Sequence, residues 1–334
     1  MNPKATKMQN GQERTSSQVP SFSIDTSTLM KIASLELRAK AVVEGFMSGL
    51  HRSPYHGFSV EFSDYRPYSP GDDLRYLDWR LLARSDRRYI KRFEDETNLR
   101  CYLVLDNSRS MQFGVGEVVK AEYAKTLAAT LAYFFTQQRD AVGLLTFDQK
   151  IQELIQPRFR PGHLRRIMVA LDRAPDGQAT DVRGSLEQLA TTFHKRGLVI
   201  LVSDLLTPAL ELRKPLAILR SRGHEVILLR VLDPTEVTFD FREPKIFVDV
   251  ESGRDLYVDP ISIRDRYQTK FREHEKQIQA LSSELGIEYY RVTTDQAMDR
   301  VLFNVITSRM ESRSVSHRRA TAAGTLTNPQ EASR

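Results

Sequence analysis

The sequence predicts an α/β protein whose mostly parallel sheet carries helices on both faces, and three observations predict it. Short apolar runs at Cys101 to Asp106 and Leu198 to Asp204 end on carboxylates, and the mostly apolar Ala141 to Phe147 and Glu225 to Val231 read as further strands. Strands that are apolar on both sides belong inside a helix-covered parallel sheet. Between them lie stretches with apolar residues at helical spacing: Val118 to Phe135, His163 to Leu171, Val182 to His194 and Pro208 to Arg222. Such alternation is what right-handed parallel crossovers require. Finally, 334 residues that are 40% hydrophobic and 28% charged suffice to bury a core of that size.

The elements follow in order. Residues 1–24 are polar and are expected to be disordered. Leu29, Ile32, Leu35, Ala39, Val42, Val43, Phe46 and Leu50 then recur at helical spacing, with Asp25, Thr26 or Ser27 as N-cap. Phe58, Val60 and Phe62 alternate as in a half-exposed strand, Pro70-Gly71 forces a turn, and Arg88 to Glu96 reads as an antiparallel partner strand. An N-terminal helix with a small β segment thus occupies 25–98, and the α/β domain 99–310. In the latter, small residues on the face Ala121, Ala124, Leu127, Leu131 and Phe134 let the Val118 to Phe135 helix pack closely on the sheet. A hairpin within Val237 to Val258 turns at Glu251-Ser252-Gly253. Helix Ile261 to Leu285, strand Ile287 to Val292 and helix Gln296 to Arg309 close the fold, and 311–334 reads as disordered.

Composition narrows the function. The net charge of +6 is spread along the chain. A nucleic-acid binder shows a basic stripe with interleaved aromatics, and no zinc-finger or ribonucleoprotein motif is present. The single cysteine, Cys101, precludes an intramolecular disulfide and fits a reducing cytoplasm. No apolar run approaches the ~18 residues of a spanning helix. The segment from Met1 to Lys7 leads into polar sequence without the apolar core of a signal peptide. Neither G-x-x-x-x-G-K-[ST] nor a strand-linked G-x-G-x-x-G appears, and the seven histidines form no H-E-x-x-H. No catalytic constellation emerges.

Oxygen-bearing residues collect instead where strands end. Asp106-x-Ser108-x-Ser110 follows the first apolar run, Thr180 lies in the loop Gly177 to Ser185, and Asp204 closes the third run. Ligands in open parallel sheets bind outside the carboxyl ends of the strands, so these five positions can meet. Carboxylates with neutral hydroxyls suit a small hard cation, Mg²⁺ or Mn²⁺. Ser108 and Ser110 are expected on a solvent-facing loop. The competing reading makes Asp106 and Ser108 simple caps of the next helix.

The order D-x-S-x-S, Thr, Asp resembles the metal-ion-dependent adhesion site of the von Willebrand factor type A domain, with all five positions matched. The segment Tyr65 to Arg80, followed by Ala83-Arg84 and Lys91 to Glu96, resembles the signature of a prokaryotic family known as domain of unknown function fifty-eight. The resemblance spans roughly residues 28 to 310. It implies a von Willebrand type A-like, Rossmann-like fold and a MoxR-type AAA+ ATPase, or its client, as protein partner. Many members carry transmembrane helices, which this sequence does not show. Within the signature, Arg66, Asp72, Asp73, Arg75, Asp78, Trp79 and Arg84 form either a salt-bridged network pinning a loop or a partner surface. The function implied is a metal-dependent protein-binding module. The alternatives are a haloacid dehalogenase-like phosphohydrolase, whose second carboxylate is replaced here by Ser108, and a nucleic-acid binder.

Overall fold

The structure is a computed structural model that describes residues 24–51, 65–67, 89–91, 99–148, 150–173, 182–193, 195–248 and 254–307. Two helices, α1 (Thr26–Met30) and α2 (Leu35–His51), replace the single helix expected after Asp25. Asp25 does cap the first, accepting from Thr28 N at 3.1 Å. The break comes at Ser34, whose carbonyl accepts from Arg38 N at 3.0 Å and whose hydroxyl accepts from Leu37 N at 3.4 Å. This second N-cap competes with continuation of α1. Leu29, Leu35, Ala39, Val42, Val43 and Phe46 still form one buried stripe. Strands β1 (Tyr65–Pro67) and β2 (Tyr89–Lys91) pair antiparallel, with Arg66 opposite Ile90. The second lies within the predicted stretch Arg88 to Glu96, whereas Phe58, Val60 and Phe62 fall outside the described residues.

The body runs β3 (Arg100–Asp106), α3 (Lys120–Gln137), β4 (Ala141–Phe147), β5 (Ile151–Arg158), α4 (His163–Asp172), α5 (Val182–Thr192), β6 (Leu198–Ser203), α6 (Ala209–Ser221) and β7 (Glu225–Leu232). It continues through α7 (Pro234–Thr238), the hairpin strands β8 (Lys245–Val248) and β9 (Asp255–Val258), α8 (Pro260–Leu285), β10 (Glu288–Thr293) and a last helix α9 at 298–307. Six strands form one sheet in the order β10-β7-β6-β3-β4-β5, parallel except for β5. The mostly parallel α/β architecture agrees with the sequence reading.

Two elements escaped that reading. Pro157 argues against a central strand, yet it sits in β5, an edge strand where a missing donor is tolerated. The short helix α7 forms between β7 and the expected hairpin segment, overlapping it only at Val237 and Thr238, because Asp233 and Glu236 make a reciprocal capping box around Pro234.

Alternation along β3 divides the core. Cys101, Leu103 and Leu105 pack into the layer formed with α2, α3, α4 and α9. Tyr102 and Val104 enter the layer formed with α5, α6 and α8. Each such fully buried aliphatic side chain contributes roughly 1.5–3 kcal/mol. α3 is buried on nearly every side, Lys120, Lys125, Thr126 and Thr130 included, because α2 covers the face turned away from the sheet. Gly197 lets β6 start against β3: a Cβ there would lie 2.3 Å from the Arg100 carbonyl oxygen. Among the described residues, no helix is long and apolar enough to cross a membrane.

Candidate metal site

The connection from β3 leads to β4 on one side, and the chain later returns as β6 on the other. The crevice between the carboxyl ends of β3 and β6 is therefore a topological switch point, where open α/β sheets hold ligands. Asp106 is the last residue of β3, and Asp204 directly follows β6. Both are buried.

Each oxygen of Asp106 already has one donor. Oδ1 accepts from Ser108 N at 2.9 Å, and Oδ2 accepts from the Ser203 hydroxyl at 2.6 Å. Burial, and then the charge of Asp204, push the Asp106 carboxyl up to about 6, against the opposing pull of the Ser203 and Ser108 hydrogen bonds. Ser108 Oγ lies 3.0 Å from Ser110 Oγ. Ser108 is not solvent-facing as expected, being 0% exposed, because the chain turns at once into a 3₁₀ turn, Arg109–Gln112, that folds Met111 into the core, whereas Ser110 is half-buried. The capping alternative also fails, since Ser108 makes no side-chain cap bond and α3 starts only at Lys120 behind Val119.

Asp204 is held from several sides. Its Oδ2 accepts from Lys120 Nζ at 2.9 Å, and its carbonyl accepts from Arg230 Nε at 3.0 Å. The next residue, Leu205, has φ 50°, in the left-handed region that costs a branched side chain energy. Two bonds fix that turn: Leu205 N donates to Ser203 Oγ at 3.0 Å, and Leu205 O meets His274 Nε2 at 2.8 Å. Lys120 reaches a second carboxylate, Glu236 Oε1, at 2.8 Å. Burial works to lower the Lys120 pKa, but Asp204 and Glu236 outweigh it and hold the ammonium above its ordinary value. Burial raises Glu236 despite that ammonium.

The structure thus joins Asp106, Ser108 and Ser110 in one hydrogen-bonded loop and sets Asp204 at the neighbouring strand end. Thr180 lies outside the described residues, as do Asp72, Asp73, Arg75, Asp78, Trp79 and Arg84; Arg66 is in β1. Among the described residues no group of three or more His, Cys, Asp or Glu side chains could hold a metal, so a metal here would depend on hydroxyls as well as carboxylates. The donor set fits that demand. It is all oxygen, and each Asp106 oxygen, having accepted one bond, retains a second lone pair. Ser203, Lys120, Arg230 and Glu236 were not anticipated. Only Glu236 had a legible signal, the Asp-Pro-x-Glu capping pattern.

The family described as "Protein of unknown function DUF58" matches residues 64–277. Among curated proteins, Uncharacterized protein Rv1480 of Mycobacterium tuberculosis is 26% identical over 298 residues, covering 88% of this chain and 93% of that protein. Among solved structures, the conserved hypothetical protein BatB from Bacteroides thetaiotaomicron is similar at 17% identity and TM-score 0.44, covering 64% of this chain and 99% of that one. The VWA domain of SpRpn10 is similar at 14% identity and TM-score 0.38, covering 61% of this chain and 93% of that one.

Proposed function

The chain belongs to the DUF58 family, and on that premise we propose that it is a cytoplasmic, metal-dependent protein-binding module serving as partner or adaptor of a MoxR-type AAA+ ATPase. One observation supports the reading: carboxylate and hydroxyl oxygens from two distant segments, Asp106 with Ser108 and Asp204, lie at the carboxyl ends of adjacent strands β3 and β6. Asp106, Ser108, Ser110 and Asp204, with Thr180, would hold the ion. Bound there, Mg²⁺ or Mn²⁺ would supply an electrophilic position for an acidic side chain of the partner. The chain's own part is to orient. Ser203 and Ser108 N fix the Asp106 carboxylate, while Lys120, Arg230 and the Leu205 turn fix Asp204. A phosphohydrolase of the haloacid dehalogenase kind needs a second carboxylate where the buried Ser108 stands.

A melting experiment tests the metal and a co-purification tests the partner. Ligand at ten times Kd stabilises the folded state by about 1.4 kcal/mol. For a domain of this size that raises Tm by roughly 3 to 6 °C. Mg²⁺ or Mn²⁺ up to about 10 mM should produce this shift, and Asp106→Ala and Asp204→Ala should each abolish it. A wild type without any shift, or alanine variants that keep it, would remove the metal from the proposal. The full chain should retain a MoxR-type ATPase of its own organism in Mg²⁺ and release it in EDTA; equal retention in both overturns metal-dependent docking.

A further inference from the structure

We propose that Lys120 is the resident cation of this site, a specificity-determining residue that competes with a divalent ion for Asp204 and so raises the concentration at which the site loads. This rests on the metal-binding reading above. The Lys120 ammonium lies 2.9 Å from Asp204 Oδ2 and 2.8 Å from Glu236 Oε1, and its side chain is 0% exposed. A fully buried lysine is rare unless paired, and here both partners are carboxylates.

The clamp is built rather than incidental. Glu236 is aimed by its capping box: Oε2 accepts from Asp233 N at 2.8 Å, leaving Oε1 for the ammonium. Asp233 is itself tied to the loop beyond β3, accepting from Val115 N at 3.1 Å. On its remaining side, Lys120 faces the Phe113 ring, with Nζ 5.6 Å from the centroid. The ammonium therefore spans the end of β6 and the start of α7. It cannot swing away without leaving the buried Asp204 and the partly buried Glu236 without their shared cation.

Its consequence for an incoming ion is electrostatic. A divalent cation held by Asp106, Ser108, Ser110 and Asp204 would meet a positive charge already bonded to one of its own carboxylates. Like charges a few ångströms apart in a poorly screened interior repel strongly. The same oxygens without Lys120 would bind the ion more tightly.

Mn²⁺ binding to the full chain, read from the electron paramagnetic resonance of free Mn²⁺, tests this in wild type, Lys120→Met and Glu236→Gln. Lys120→Met should bind Mn²⁺ at least tenfold more tightly than wild type. Glu236→Gln keeps the ammonium and removes a negative charge, so it should bind more weakly. A purely structural lysine would weaken binding in both variants. If wild type binds but Lys120→Met binds no more tightly, the competition is refuted while the metal reading stands. If none of the three binds Mn²⁺ at about 10 mM, the metal reading fails and this inference falls with it. Lys120→Met leaves Asp204 and Glu236 unpaired, so its folding is checked by melting in EDTA and in Mn²⁺. Should it unfold in both, Lys120→Gln, which keeps hydrogen-bond donors for Asp204 and Glu236 but no charge, decides: tighter Mn²⁺ binding than wild type supports the competition, and binding no tighter overturns it.

Discussion

Ser203 donates its hydroxyl to Asp106 Oδ2 at 2.6 Å, across a sequence separation of 97 residues. Ser203 Oγ in turn accepts from Leu205 N at 3.0 Å, so a single hydroxyl links the Asp106 carboxylate to the turn that carries Asp204. The two halves of the candidate site are thereby set in register before any ligand arrives.

Removing that hydroxyl should therefore affect both fold and site. Ser203→Ala takes a donor from a carboxylate that is out of water, and hydrogen bonds to charged groups contribute about 1.5–3 kcal/mol. Urea denaturation in EDTA at pH 7.5 should show a loss of that order. With one of its lowering bonds gone, Asp106 should ionise at higher pH, and Mn²⁺ uptake should move upward in pH with it. A loss below about 0.5 kcal/mol with unchanged uptake would show that Ser203 does not orient Asp106.

Asp106 gives the metal-free protein a defined pH dependence. Its carboxyl is raised from 3.8 to about 6 in the fold, so folding favours the protonated form. The associated stability is fully present below pH 3.8 and is lost as pH rises through about 6. Two pKa units correspond to an upper bound of ~3 kcal/mol. Asp106→Asn keeps the shape and removes the charge. In EDTA it should be more stable than wild type by about 1–2 kcal/mol at pH 7.5, and no more stable at pH 4. An identical difference at the two pH values would show that ionised Asp106 is not the destabilising group.

The strands were legible because parallel strands buried on both faces are mostly apolar, as the interiors of β3, β4, β6 and β7 are, Arg230 in β7 being the charged exception. β5 was not, since an edge strand carrying Pro157 has no such signature. The break between α1 and α2 was missed because both helices share one apolar stripe, and only Ser34 marks the new start. Asp106, Ser108, Ser110 and Asp204 could be read from their places at strand ends. Ser203 and Lys120 could not: a serine inside an apolar run and a lysine opening an Ala-rich helix acquire their roles only when β6 and α7 come alongside. Nor does sequence reveal that a loop serine is fully buried.

That burial separates the two serines. Ser108 is 0% exposed whereas Ser110 is half-buried, and their hydroxyls bond each other. Ser110→Ala should cost about 1–2 kcal/mol in EDTA, because it leaves the fully buried Ser108 hydroxyl without its partner. Ser108→Ala should cost about half as much, since water can reach the Ser110 hydroxyl left behind. Both should weaken Mn²⁺ binding. Equal stability losses would mean that Ser108 burial carries no energetic weight.

Asp233 offers a test of how the fold supports the site. It caps α7, accepting from Thr235 N at 2.8 Å, and is 2% exposed. Asp259 caps α8 in the same manner, accepting from Ile261 N at 3.1 Å, but at an exposed position. Loss of either cap should cost on the order of 1 kcal/mol, Asp233 towards 2 because it also anchors Val115. Their effects on the site should differ. Asp233→Ala removes half of the box that aims Glu236 at Lys120, so the clamp on Asp204 should loosen and Mn²⁺ affinity should change. Asp259→Ala, at the start of a helix beyond the β8–β9 hairpin, should leave affinity as it is. Denaturation and Mn²⁺ titration of the two variants side by side make the comparison; equal affinities in both would show that α7 does not position the carboxylate cluster.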